Sequence, residues 1–132
     1  RSGYANSYFP VLLKILAIAA AVTATAEKAA AGAASYVHVA RVTNISQTIE
    51  DLKKEGVWIA AVDMDGDIYT EADFTGPIAF VTGSEGSGIS RLVKEKCDFT
   101  TAIPMNGDID SLNASVAAGV LAFEIVRQRL SK

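Results

Sequence analysis

The chain is poor in several chemically decisive residues. It has a single cysteine, Cys97, and so cannot close an internal disulfide; this fits a reducing compartment. Cys97 lies between Lys96 and Asp98 where a helix gives way to a strand, and is expected to be a small half-buried residue rather than a reactive thiol. The one histidine, His38, has no acid or nucleophile near it in sequence, which favours a structural role. Basic excess is absent too. Twelve Lys and Arg against fifteen Asp and Glu leave a net charge of −3, so the chain cannot coat nucleic acid by bulk attraction, and any RNA contact must be a local patch. No apolar run is long enough to cross a bilayer, which takes about 20 residues. The stretch "YFPVLLKILAIAAAVTATA" is interrupted by Lys14 and is not read as a secretory signal. A cytoplasmic location is the expectation. Since the first residue is Arg1 and not Met, the chain is expected to be part of a longer protein.

What is present is a half-apolar chain of 132 residues, sufficient for one core. "VLLKIL", Val11 to Leu16, reads as a buried strand, the Ala-rich Thr23 to Ala34 as a helix, and "YVHVARV" as a strand. "TNISQTIEDLKKEG" reads as an amphipathic helix capped by Thr43 or Asn44, with Ile45, Ile49 and Leu52 on one stripe and Gly56 closing it. Val57 to Val62 is a buried strand, followed by an acidic loop, "DMDGDIYTEADF", with a turn at Asp65-Gly66. D-x-D-G-D resembles part of a calcium loop but lacks its twelfth-position glutamate and flanking helices, so no metal is expected. Ile78 to Thr82 and Phe99 to Ile103 are further strands, and Asn113 to Leu130 is a helix with Val116, Val120, Phe123 and Val126 or Ile125 on one stripe. Apolar strands alternating with helices predict an α/β fold with a mostly parallel sheet covered on both faces.

Ligands of such sheets sit beyond the carboxyl ends of strands, which selects the loops after Thr82 and Ile103. The first has glycines at 83, 86 and 88 ahead of a helix start, but neither dinucleotide nor P-loop spacing, and Glu85 would repel phosphate. Glu85 can instead accept a hydrogen bond from a hydroxyl, a base edge or an amine. The second, "IPMNGDIDSLNASVAAG", offers Ile103, Met105 and Leu112 to the faces of a flat heterocycle and backbone groups to its edge.

Together, "VTGSEGSGISRL" and "IPMNGDIDSLNASVAAGVLAFEIVRQR" resemble the second and third motifs of the TrmH (SpoU) family within the SPOUT class of RNA methyltransferases. "VTATAEKAAAGAASYVHVARVTN" is similar to the middle of the catalytic domain of enzymes that methylate a guanosine ribose in large-subunit ribosomal RNA. The resemblance implies transfer of a methyl group from S-adenosylmethionine to a ribose 2′-hydroxyl, a deep C-terminal trefoil knot, and a homodimer whose subunits complete each other's sites. It implies that residues 1–132 are the catalytic domain, without its first strand and without any preceding RNA-binding domain. Thr82, Gly83, Gly88, Ile103, Met105 and Leu112 would contact the cofactor, and Arg1, Glu85 and Asn113 would line the ribose site. Arg1 enters by laying "RSGYANSYFPVLL" on the end of the first motif, whose Asn-x-Gly turn is absent. RNA would be gripped by Arg1, Arg41, Arg91, Lys94 and Lys96. The alternative is a truncated or degenerate domain that dimerises and binds cofactor without catalysis.

Overall fold

A computed structural model describes residues 17–18, 40–83, 88–107 and 114–131. In chain order the elements are β1 (Ala17–Ile18), β2 (Ala40–Arg41), α1 (Ile45–Lys54), β3 (Trp58–Ile68), a 3-10 turn (Tyr69–Glu71), β4 (Ile78–Thr82), α2 (Arg91–Lys96), β5 (Phe99–Ala102) and α3 (Ala114–Leu130). All recorded strand pairing is parallel: β1 with β2, and a three-stranded sheet in the order β4-β3-β5. The α/β reading with a parallel sheet therefore holds. The expected strand at Val11 to Leu16, the helix at Thr23 to Ala34 and His38 lie outside the described residues; so do residues 36–39 of the next expected strand, which is described at Ala40–Arg41.

Local chemistry explains the α1 boundaries. The Asn44 side chain accepts from the Gln47 N–H at 3.1 Å, so Asn44 rather than Thr43 is the cap, and Gly56 takes the left-handed conformation (φ +82°) that ends the helix. Ser90 caps α2 in the same way, accepting from Val93 N–H at 3.4 Å.

β3 is central, and its alternate residues enter two different cores. Ile59 joins Ile49, Val57 and Ala79, with Ile45, Leu52, Val93 and Cys97 from the α1 and α2 side. Ala60 joins Phe74, Ile78, Leu121 and Ile125 on the α3 side, with Phe80 and Phe99 packed against them. Helices thus cover both faces. Phe74, wholly buried, meets Phe80 edge-on at 5.1 Å between centroids and stacks on Phe99 at 6.4 Å. The backbone N–H of Phe74 donates to Gln128 Oε1 at 2.7 Å, and Gln128 Nε2 donates to Ala72 O and to Glu124 Oε2, both at 2.8 Å. This side chain seams α3 to the segment between the 3-10 turn and β4.

One expectation is corrected. The acidic stretch after Val62 is not simply a loop, because β3 continues to Ile68 through a wide bulge. Val62 and Asp67 both pair with Thr101, leaving residues 63–66 outside the ladder. Gly66 returns the chain: a Cβ there would lie 2.6 Å from the backbone of Thr100 and Thr101. α3 commits one face to the core, while the stripe of Val116, Val120 and Phe123 lines a groove on another side. Ala117, Leu121, Glu124 and Ile125 are buried, whereas Val116 and Phe123 are exposed, Phe123 by 76%. A helix apolar nearly all round gives periodicity no single face to choose.

Leu121→Ala is expected to cost about 2–5 kcal/mol by opening the α3-side core, and Gly66→Ala about 1–3 kcal/mol by forcing β3 and β5 apart. Urea denaturation at unchanged m-value would measure both.

Candidate functional site

The sheet brings the two suspected loops to one edge. Val62 pairs with Thr82 on one side and Thr101 on the other, so β4 and β5 reach this level together, flanking β3. Strands two apart stand about 10 Å from each other with β3 between them, so the loops leave the sheet on either side of the β3 bulge.

At the β4 end, Thr82 is exposed and Gly83 half-buried. Gly83 lies so close to the Gly88 carbonyl and the Ile89 nitrogen that a Cβ there would overlap them, and Gly88 itself is left-handed (φ +68°). Loop 83–88 therefore has a closed neck made of two glycine backbones. At the β5 end, Ile103 packs half-buried on the α3-side core, Met105 is half-buried, and Gly107 turns the chain in the left-handed region (φ +73°). Five of the six cofactor candidates, Thr82, Gly83, Gly88, Ile103 and Met105, are thus placed on these two strand exits. Leu112 and the three catalytic candidates, Arg1, Glu85 and Asn113, lie outside the described residues.

The electrostatics were not visible in the sequence. Lys94 Nζ donates to Asp63 Oδ2 at 3.0 Å and to both Asp65 oxygens at 2.7 Å, filling the space between the two carboxylates of the β3 bulge. Among the described residues no group of three or more His, Cys, Asp or Glu is arranged to hold a metal, and in the D-x-D-G-D segment the cation is this ammonium. Hydrogen bonding from Lys94 holds the Asp63 carboxyl below its ordinary value, and the two carboxylates raise Lys94. Lys96 pairs with Glu50 at 3.2 Å, and Arg91, 93% exposed in its side chain, with Glu95 at 3.0 Å. Of the anticipated basic patch, Lys94 and Lys96 pair with partly exposed carboxylates, Arg91 is solvated beside Glu95, Arg41 is placed only by its backbone pairing with Ile18, and Arg1 lies outside the described residues. Cys97 is half-buried, its Sγ 3.4 Å from Val93 O, and burial raises its thiol pKa, as suits an inert packing residue.

A second feature is an open apolar groove lined by Tyr69, Val116, Gly119, Val120, Phe123, Glu124 and Arg127. On its floor Glu124, 5% exposed, accepts two hydrogen bonds from Arg127 at 2.8 Å, which lower its pKa. Among the described residues no helix is long and apolar enough to cross a membrane.

Comparison with known proteins follows the same lines. The model of the SpoU rRNA Methylase family matches residues 12–123. The chain is 49% identical over 112 residues to the 23S rRNA (guanosine-2′-O-)-methyltransferase RlmB of Coxiella burnetii, covering 84% of this chain and 45% of that protein. It is similar in structure to the SpoU methyltransferase AviRb of Streptomyces viridochromogenes, solved in complex with AdoMet, with a TM-score of 0.80 and 29% identity over 89% of this chain and 49% of that one. The A. aeolicus TrmH/SpoU tRNA modifying enzyme aligns with a TM-score of 0.73 and 34% identity over 80% of this chain and 54% of that one. The chain spans about half the length of these relatives.

Two outcomes follow. Gly83→Ala should leave the sheet folded but force the neck open, and a proteolysis comparison would show new cleavage confined to the region after β4. The Asp63 carboxyl is lowered, so its contribution is complete above the ordinary carboxylate range and is lost as pH falls through the folded value. Lys94 is raised, so its contribution is complete below the ordinary ammonium range and is lost as pH climbs through the folded value. The difference in thermal midpoint between the unsubstituted chain and Asp63→Asn should be small, as for any part-exposed pair, flat from about pH 5 to 9 and smaller still on either side.

Proposed function

This chain belongs to the SpoU rRNA Methylase family, and on that premise we propose that it is the catalytic portion of an S-adenosylmethionine-dependent RNA ribose 2′-O-methyltransferase. The observation that carries the reading is the pair of strand exits: β4 and β5 end level on one parallel sheet, and from them leave the glycine-necked loop and the Ile103–Gly107 turn. The residues present suit the cofactor, because a neck without a Cβ at Gly83 leaves backbone groups close enough to read a ligand edge, while Ile103 and Met105 are half-buried apolar neighbours for a flat ring. Thr82, Gly83, Gly88, Ile103, Met105 and Leu112 would hold it. When bound, S-adenosylmethionine supplies a methyl group activated by a sulfonium.

The chain's own task is to prepare the ribose. A 2′-hydroxyl is a weak nucleophile at neutral pH and gains from an acceptor that draws its proton and from a fixed approach. Glu85 and Asn113 are assigned to that positioning. Arg1 is assigned to orient the ribose or its phosphate, since a guanidinium stays protonated and acts as a donor. A C-terminal trefoil knot and a homodimer belong to the same proposal. The dimer reading is supported by the exposed Val116, Phe123 and Leu130, which recur every seven residues along one stripe of α3, and by the groove beside Tyr69.

Ribosomal RNA is the proposed substrate class, supported by the similarity to a 23S rRNA enzyme at 49% identity; the structural likeness to a tRNA modifying enzyme makes transfer RNA the control.

Calorimetric titration with S-adenosylmethionine is expected to saturate, and Glu85→Ala is expected to retain that binding while methyl transfer to a 23S rRNA transcript falls by about a hundredfold or more. Binding without transfer by the unsubstituted chain would assign it instead as a cofactor-binding, dimerising unit. Phe123→Glu should shift sedimentation from dimer to monomer.

A further inference from the structure

The bulge in β3 belongs to neither core cluster. Asp63, Met64, Asp65 and Gly66 are thrown out of the ladder at the level where Val62 meets Thr82 and Thr101, the same edge from which the two loops leave. The base of the bulge is fixed, because at Gly66 the backbone lies against Thr100 and Thr101 with no room for a side chain. Its two carboxylates converge on one ammonium, Lys94.

Lys94 belongs to the six-residue α2, which has no fully buried side chain. Val93 and Cys97 pack only partly against the α1-side core, and Leu92 and Arg91 point into solvent. A helix this short and this poorly buried cannot hold its own place by packing. Its C-terminal end is tied by Lys53 Nζ donating to Lys96 O at 3.1 Å, by Lys96 pairing with Glu50 of α1 and by Asp98 N–H donating to Ile59 O just beyond; ahead of these, toward the neck, the side-chain tie is Lys94 to the β3 bulge. Its N-cap, Ser90, follows the glycine neck by two residues, so where Lys94 is held, Gly88 is held.

We propose that Asp63, Asp65 and Lys94 are positioning residues, an ionic clamp between the β3 bulge and α2 that sets the Gly83–Gly88 neck at its working distance from the Ile103–Gly107 turn. The inference rests on the methyltransferase reading for its functional consequence, but not for its geometry. Lys94 is 27% exposed and Asp63 38%, so the clamp adds little to overall stability while fixing one local position. That combination distinguishes positioning from support of the fold.

The test compares the unsubstituted chain with Lys94→Met, Lys94→Arg, Asp65→Asn and, as a control cation at the end of α1, Lys54→Met. Three quantities are read: amide exchange at Gly88, Ile89 and Ser90, the Kd for S-adenosylmethionine, and the thermal midpoint. Lys94→Met is expected to speed exchange at those three amides and weaken cofactor binding by roughly tenfold, short of the hundredfold that about 1 Å of misplacement costs at a reacting centre, with little change in the midpoint. Asp65→Asn should give a smaller change in the same direction. Lys94→Arg, which can still bridge two carboxylates, should restore both quantities, and Lys54→Met should match the unsubstituted chain. Unchanged exchange in Lys94→Met and Asp65→Asn overturns the clamp, and so does an equal loss of exchange protection throughout the sheet. If the unsubstituted chain fails to bind S-adenosylmethionine, the methyltransferase reading falls, and the exchange data alone still decide whether the clamp holds the neck.

Discussion

Everything in this structure depends on β3 being paired on both sides. Its backbone exchanges hydrogen bonds with β4 and β5, and its successive side chains are divided between two cores, Ile59 toward α1 and α2, Ala60 toward α3. Such a strand cannot slip by one residue, since a slip would exchange the two faces and place Ile59 where only an alanine fits beside Phe80. Fixing β3 fixes the register of both neighbours, and that register brings Thr82 and Thr101 to one level. The closeness of two loops nearly twenty residues apart in sequence is therefore a consequence of strand pairing, not of anything in the loops.

The helix α3 carries a second responsibility. One side is committed to the sheet through Leu121 and Ile125, and is seamed to the chain ahead of β4 by Gln128, with Arg129 Nη2 donating to Gly76 O at 2.8 Å. The other side presents Val116, Val120 and Phe123 beside Tyr69. Between the two sits Glu124, almost wholly buried and ionised because Arg127 and Gln128 supply three hydrogen bonds to it. A buried carboxylate is tolerated only when it is satisfied in this way, so the boundary between the core face and the groove is drawn by a polar network rather than by a change in hydrophobicity.

Charge shows the same dependence on tertiary neighbours. The cations of α2 look free in a linear reading, but Lys94 finds its carboxylates 29 and 31 residues away and Lys96 finds Glu50 46 residues away. The Asp65-Gly66 pair offers turn chemistry suited to a turn within a solvated loop; in the fold the pairing of Asp67 and Ile68 with β5 overrides it and turns the segment into a bulge. On α3 the reason is related, since residues apolar on nearly every side do not say which side meets the sheet.

What the sequence determined by itself was local or carried in long motifs: the capped α1, the strands at Ile78–Thr82 and Phe99–Ala102, the parallel α/β class and the family. These are legible because caps, apolar runs and glycine spacings act over a few residues. Tertiary structure alone decided which face of α3 is buried, how the neck closes at Gly83 and Gly88, and which carboxylates hold Lys94. Each of these is a contact between segments that meet only after the sheet has formed, and the free energy of such a contact depends on distances that no pattern along the chain encodes.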